Sequence, residues 1–292
     1  MARIVYVNGR YEPYADAAIH VEDRGFQFAD GVYEVCEIRG GLFVDERRHM
    51  NRLARSLREL KIAEPMSAKA LGVILRETVR RNRVRDGLVY LQVTRGVAHR
   101  DFAFPSPEVA PSVVCFARSL SLAKGEKKAA AGISVITVPD IRWKRVDIKT
   151  TGLLAQALAR QEAKDAGADE AWMVDADGLV TEGASCNAWI VTAAGILVTR
   201  SAESGILRGI TREVAMEAAR KKGLKFEERP FTVEEAQAAR EAFQTSATGL
   251  VMPVVRIDGH IIGSGKPGEI ALELRKTYHT VAEFSGPRGV LA

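Results

Sequence analysis

Four short segments hold residue types that could bring a reactive amine, a nitrogen heterocycle and an anion together. Lys149 lies in Val146-Asp147-Ile148-Lys149-Thr150-Thr151-Gly152, between a strand-like run and a helix start. A lysine acts as a Schiff-base nucleophile through its neutral form, which desolvation or nearby positive charge favours. The helix N-terminus that follows, with Lys144 and Arg145, would supply such potential. Glu182 lies in Thr181-Glu182-Gly183-Ala184-Ser185-Cys186-Asn187, after an apolar strand. A carboxylate there could keep a pyridine nitrogen protonated and make the ring an electron sink. Gly209-Ile210-Thr211 opens an amphipathic helix between Arg208 and Arg212. Backbone N–H groups at a helix start form an anion site, and the glycine lets a phosphate approach. Arg52 borders the apolar face of its own helix, within reach of the interior. Each residue has an ordinary alternative on local sequence alone: a solvated lysine, a turn glutamate, a threonine cap and a solvated arginine.

The elements that must position these groups follow from periodicity. Asn8-Gly9 between IVYV and RYEPY predicts a tight hairpin, and Gly40-Gly41 between VYEVCEI and LFVD a second one. Met50, Leu53, Leu57 and Leu60 recur on one face of a helix over 46–61, and another helix is expected over 68–84. LVYLQVTRG and PSVVCFARS read as strands. The first part of the chain is thus mixed α and β, with hairpins instead of strict βαβ alternation. Residues 121–132 lack periodicity and carry three lysines and two glycines, which predicts a linker between a small α/β domain (1–120) and a larger β-rich domain (133–292). Beyond it come the strand ISVITV, a helix over 153–166, a meander from EAWMVD to ILVTR, and a helix closed by Gly223. A hairpin at Asp258-Gly259 and a last helix from about Glu269 complete the reading.

Composition narrows the function. The 292 residues are 47% hydrophobic and 27% charged with a net charge of +5, as expected of a globular chain with a sizeable core. The basic residues are scattered among acids, so a nucleic-acid stripe is not expected, and the run over 76–85 reads as a solvated helix face. Cys36, Cys115 and Cys186 form no metal-binding spacing, and their sparse, odd count suits a reducing compartment. The N-terminus is too polar for a signal peptide and no apolar run reaches membrane length, so a cytoplasmic protein is expected. Gly263-Ser264-Gly265-Lys266-Pro267-Gly268 matches a dinucleotide fingerprint literally. Too little chain follows it for a βαβ unit, and Pro267 falls inside the supposed phosphate turn, so a surface turn is expected.

DRGFQFADGVYEV, HMNRL, TRG, DIKTTGLL, TEGASCN, GILRGITR and TSATGLVMPV occur in this order. Together they resemble the fold-type IV aminotransferases, most closely the D-amino-acid branch, over nearly the whole chain. The resemblance implies a two-domain α+β fold, pyridoxal 5′-phosphate as cofactor, and a homodimer with its active site at the subunit interface. It implies that Lys149 forms the Schiff base and shuttles the proton, while Glu182 pairs with the ring nitrogen. Arg52, the N–H groups of Ile210 and Thr211 beside Gly209, and Thr248 would bind the phosphate. Leu207 would lie against the ring and Ala247 would present a backbone N–H. The reaction would be ping-pong, from a D-amino acid to a 2-oxo acid.

Substrate choice rests on Tyr33 and on the segment after Thr94-Arg95-Gly96. Tyr33-Glu34-Val35 matches the D-amino-acid branch. That branch usually pairs an arginine with a histidine two residues later as a carboxylate trap. Here the arginine is Arg100, but Phe102 takes the histidine's place, and His99 would point elsewhere in an extended stretch. Phe102 cannot donate a hydrogen bond. The trap therefore loses a charge-assisted contact of roughly 1.5–3 kcal/mol, and (R)-amines without a carboxylate become an alternative. Branched-chain L-amino-acid transamination, aminodeoxychorismate cleavage and a non-catalytic binding protein on the same fold complete the set of alternatives.

Overall fold

The computed structural model describes residues 3–286 and 289–290. The chain divides into two compact units. Unit 1 comprises Met1–Ser121, Ile148–Gly152 and Glu283–Ala292, and unit 2 comprises Leu122–Asp147 and Leu153–Ala282.

In unit 1, β1 (Ile4–Val7) and β2 (Arg10–Pro13) form the first hairpin. Its turn residues Asn8 and Gly9 have φ of 44° and 96°, the positive values a tight hairpin requires. A five-residue helix, α1 (Arg24–Phe28), precedes β3 (Gly31–Arg39) and β4 (Leu42–Val44). Helices α2 (Glu46–Glu59) and α3 (Ala68–Arg81) lead to β5 (Gly87–Thr94) and β6 (Ser112–Ser119). With Phe284–Gly286 and Gly289–Val290 the strands make one antiparallel sheet, ordered Gly289–Val290, Phe284–Gly286, β4, β3, β5, β6, β1, β2. Strand side chains alternate between faces. Val32, Cys36 and Ile38 of β3 accordingly share a core with Leu53 and Leu57 of α2 and Leu71 and Leu75 of α3. Tyr33 points to the other face, where it stacks on Tyr90 (5.4 Å between ring centroids) and Tyr90 stacks on Phe116 (4.7 Å).

Unit 2 opens on a helix where a linker was expected over 121–132, namely α4 (Leu122–Ala131). Its alanines, lysines and glutamate favour a helix even though the only buried residue, Ala129, leaves no apolar stripe to read. Then follow β7 (Ile133–Pro139), α5 (Leu154–Asp165), β8 (Glu170–Val174), β9 (Val180–Gly183), β10 (Asn187–Val191) and β11 (Leu197–Thr199). Helix α6 (Ile210–Lys221), β12 (Phe226–Glu228), α7 (Val233–Gln237), β13 (Glu241–Ser246), β14 (Leu250–Ile257), β15 (His260–Ile261) and α8 (Glu269–Val281) complete it. The sheet is mixed, ordered β12, β11, β10, β13, β14, β7, β8, β9, with β15 on β14. Strand β10 is buried on both faces. Ala188 and Ile190 join Trp172 and Phe231, while Trp189 and Val191 pack with Ala215, Ala219 and Leu274 of α6 and α8. Such a strand reads as a continuous apolar run. The 263–268 glycines lie in a turn in which Gly265 N–H bonds the Ile262 carbonyl at 2.9 Å.

Ile148–Gly152 does not stay with the domain in which its sequence neighbours fold. Tyr33 N–H donates to the Lys149 carbonyl and Thr151 N–H to the Gly31 carbonyl, both at 3.0 Å. The reactive-lysine candidate is thus hung from β3 of unit 1.

Candidate active site

In unit 1, Lys149 Nζ lies 3.3 Å from the Tyr33 hydroxyl and 4.3 Å from the centre of the Tyr33 ring. The ring is itself fixed by stacking on Tyr90, whose hydroxyl donates to Gln92 at 2.7 Å. Burial, followed by the charge a Tyr33 phenolate would carry, pushes the Tyr90 hydroxyl well above the ordinary tyrosine range. One residue along β3, on the helix-covered face, the Glu34 carboxylate is 1% exposed. Arg52 Nε and a terminal nitrogen donate to its two oxygens at 2.7 and 2.8 Å, and His49 Nδ1 lies 2.7 Å from Oε2. Burial alone would raise the Glu34 pKa, but the Arg52 charge and the hydrogen bonds from Arg52 and His49 outweigh it and hold it down to about 2. Strand β3 thus places Lys149 and Arg52 on residues that alternate across its two faces.

The segment expected to recognise substrate is irregular, not extended. His99 points to Glu22 (3.3 Å). Arg100 instead lies 4.8 Å over the Phe28 ring, and Phe102 meets the same ring at 5.7 Å between centroids. Phe102 is 84% exposed, so it is not a core-packing residue within this chain.

In unit 2, Glu182 is the penultimate residue of β9 and is 6% exposed. Both its oxygens accept the Leu207 N–H at 3.2 Å, Asn187 Nδ2 donates to Oε2 at 2.9 Å, and Arg142 donates to Oε1. Arg142 also holds Asp140 with Nε at 2.9 Å and a terminal nitrogen at 2.6 Å. Burial would raise the Asp140 carboxyl, yet the Arg142 hydrogen bonds and charge keep it below its ordinary value. Helix α6 starts at Ile210 on Gly209, and no side chain caps it. Thr211 therefore stands inside the helix, which removes the threonine-cap alternative. A side chain at position 209 would put its Cβ 2.0 Å from Asn187 Oδ1. Asn187 in turn pairs with Thr245 across β10 and β13. This register brings the turn with Ala247 and Thr248 to the strand end where Glu182, Asn187 and Gly209 gather.

The residues of unit 2 suit a phosphorylated pyridine on two observations. A buried carboxylate with fixed donors is held ready for a heterocyclic N–H. An uncapped helix start, backed by a glycine where a larger residue would push Asn187 aside, leaves backbone N–H groups for an anion. Sequence reading did not single out Arg142, Asp140, His49 or the tie between Glu34 and Arg52. His49, Asn187 and Glu34 stand inside the ordered motifs and were detectable there, whereas nothing in the sequence sets Arg142 apart from other arginines.

A family model described as amino-transferase class IV matches residues 31–257. The chain is 41% identical over 266 residues to a D-alanine aminotransferase of Bacillus licheniformis, covering 91% of this chain and 92% of that one. It is 36% identical over 279 residues to the D-alanine aminotransferase of Staphylococcus haemolyticus, covering 96% and 98%. Among solved structures, the branched-chain aminotransferase of the archaeon Thermoproteus uzoniensis with norvaline superposes with a TM-score of 0.84 at 28% identity, over 96% of this chain and 94% of that one. Another branched-chain amino acid aminotransferase, solved with pyridoxamine 5′-phosphate, gives a TM-score of 0.87 at 27% identity over 96% and 93%. The Escherichia coli branched-chain enzyme, with a TM-score of 0.88 at 23% identity over 96% and 95%, shares the fold. With its ordered motifs, its two-unit α+β fold and these relatives along most of its length, the chain belongs to the class IV aminotransferases.

Proposed function

We propose that this enzyme transfers the amino group of a D-amino acid, D-alanine in the first instance, to a 2-oxo acid. The observation that carries this reading is the 41% identity to a D-alanine aminotransferase over 91% of the chain. Tyr33-Glu34-Val35 and the contact of Tyr33 with Lys149 support it. Bound pyridoxal 5′-phosphate supplies the electron sink that lets a proton leave the substrate α-carbon. Lys149 provides the amine that anchors the cofactor, and its Nζ then carries the proton. Tyr33 restricts where that Nζ can swing. Glu182 holds the ring nitrogen protonated, with Asn187 and Arg142 fixing the carboxylate. Arg52, the N–H groups of Ile210 and Thr211, and Thr248 hold the phosphate, with Leu207 against the ring, Ala247 presenting its N–H, and Gly209 giving room. Arg100 receives the substrate carboxylate and Phe102 borders it. The working molecule is a homodimer, and a cytoplasmic setting suits its free cysteines.

The test offers D-alanine, L-leucine and (R)-1-phenylethylamine separately to the purified holoenzyme and follows the visible band of the cofactor. D-alanine alone should discharge it. A response to L-leucine alone would overturn the assignment and favour the branched-chain reading, which the likeness to solved branched-chain enzymes keeps in view. Lys149→Ala should abolish both turnover and the capture of cofactor by borohydride.

A further inference from the structure

Arg24 opens α1 and is 3% exposed, so it meets no substrate. Its helix is fastened to the end of β5. Asp23 accepts the Gly25 N–H and the Thr94 hydroxyl, each at 2.9 Å, and a Cβ on Gly25 would lie 2.2 Å from Thr94 Cγ2. From this anchored position the Arg24 guanidinium pairs with Asp30 through Nε at 2.8 Å. One terminal nitrogen donates to the carbonyls of Asp101 at 2.6 Å and Ala103 at 3.2 Å, and the other reaches the Phe102 carbonyl at 3.5 Å. The same Asp30 carboxylate accepts Arg95 at 2.7 and 3.0 Å, and Arg95 donates to the carbonyls of Leu60 and Lys61, both at 2.7 Å. A single carboxylate therefore joins two buried guanidinium groups. One grips the loop backbone and the other the end of α2.

We infer that Arg24 and Phe28 are the positioning residues for substrate recognition: Arg24 fixes the backbone of residues 101–103, and Phe28 seats the Arg100 side chain. The Arg24 and Arg100 guanidinium carbons lie 4.7 and 4.8 Å from the Phe28 ring centre, and Phe102 packs on the same ring at 5.7 Å. A cation over an aromatic face is held by the ring quadrupole without using its hydrogen-bond donors. Because Arg24 binds only carbonyl oxygens of the loop, its grip does not depend on which side chains the loop carries. Residue 102 can thus be phenylalanine here without the loop changing course, and specificity can vary while the frame stays. The inference rests on the reading that Arg100 receives the substrate carboxylate.

The test uses the holoenzyme with Arg24→Lys, Phe28→Leu and Arg100→Ala. Lysine cannot span Asp30 and three carbonyls, so R24K should speed hydrogen exchange at residues 100–104. It should also raise KM for D-alanine about tenfold while kcat and the bound-cofactor absorption stay within about twofold. F28L, which leaves the buried ion pairs in place, should raise KM about threefold with unchanged exchange. Wild-type KM in both variants, with R100A raising it, overturns the inference. Loss of the cofactor band together with kcat in R24K and F28L does so too, because it reports general damage. If R100A also leaves KM unaltered, the reading of Arg100 as the carboxylate receptor is the part that fails.

Discussion

Between Arg52 and His49, Glu34 keeps its charge in surroundings that oppose charge, and its pKa of about 2 against an ordinary 4.5 ties that geometry to stability. The folded value lies below the unfolded one. The group therefore adds stability above about pH 4.5, and that contribution drains away as pH falls towards 2. The gap corresponds to something on the order of 3 kcal/mol. Glu34→Gln should be less stable than wild type at neutral pH and lose less on acidification. Urea denaturation between pH 5 and 2 measures this, and parallel losses in the two proteins would count against it. Phe102 makes the opposite case, a residue whose chemistry is missing. Phe102→His restores a donor beside Arg100, and at roughly 1.5–3 kcal/mol for a charge-assisted bond KM for D-alanine should fall about tenfold or more. An unchanged KM removes Phe102 from the recognition of carboxylate.

At the scale of elements, the start of α6 concentrates the most consequence in the least side chain. Gly209→Ala meets no backbone obstacle, since φ is −72°. Its new Cβ, however, would displace Asn187 from both Glu182 and the Leu207 carbonyl, which Asn187 Nδ2 contacts at 3.0 Å. Overpacking of this kind costs about 1–3 kcal/mol. A lower melting temperature with weaker cofactor affinity is expected, and a melting curve with a cofactor titration decides it. The helices with an apolar stripe and the hairpins on Asn8-Gly9 and Gly40-Gly41 were legible in the sequence, because period and turn chemistry are local. The helix at 122–131 was not, having no face to bury. Nor was α1, too short to show a period and held by Asp23 and Thr94 from 71 positions apart. The same limit governed the site. Lys149, Glu182 and Arg52 stood in recognisable motifs, as did Asn187 and Glu34, but Arg142 reaches Glu182 from 40 positions away, and the register of Asn187 with Thr245 is a pairing that no local pattern contains.

For the whole molecule, the exposures within unit 1 bear on assembly. Phe26 is 77% exposed, Phe102 84% and Phe104 54%, and large exposed aromatics, where they adjoin one another, mark an interface. Sedimentation should give twice the chain mass of 31.9 kDa, and Phe26→Ser should shift the protein towards monomer. A wild-type monomer at active concentrations would end the dimer proposal. The division of the chain has a further consequence, for inheritance more than for catalysis. Unit 1 draws on three separate lengths of chain, and the one bearing Lys149 runs only from Ile148 to Gly152. A gene cut after Ser121 would give one product the tyrosine platform and Arg52, and the other product the amine. A relative's half could replace either one only if its β3 met that short segment with the same two backbone hydrogen bonds. Exchange of halves as a route to new specificity is thereby restricted to relatives that keep this pairing, while single changes in the loop that Arg24 grips remain open.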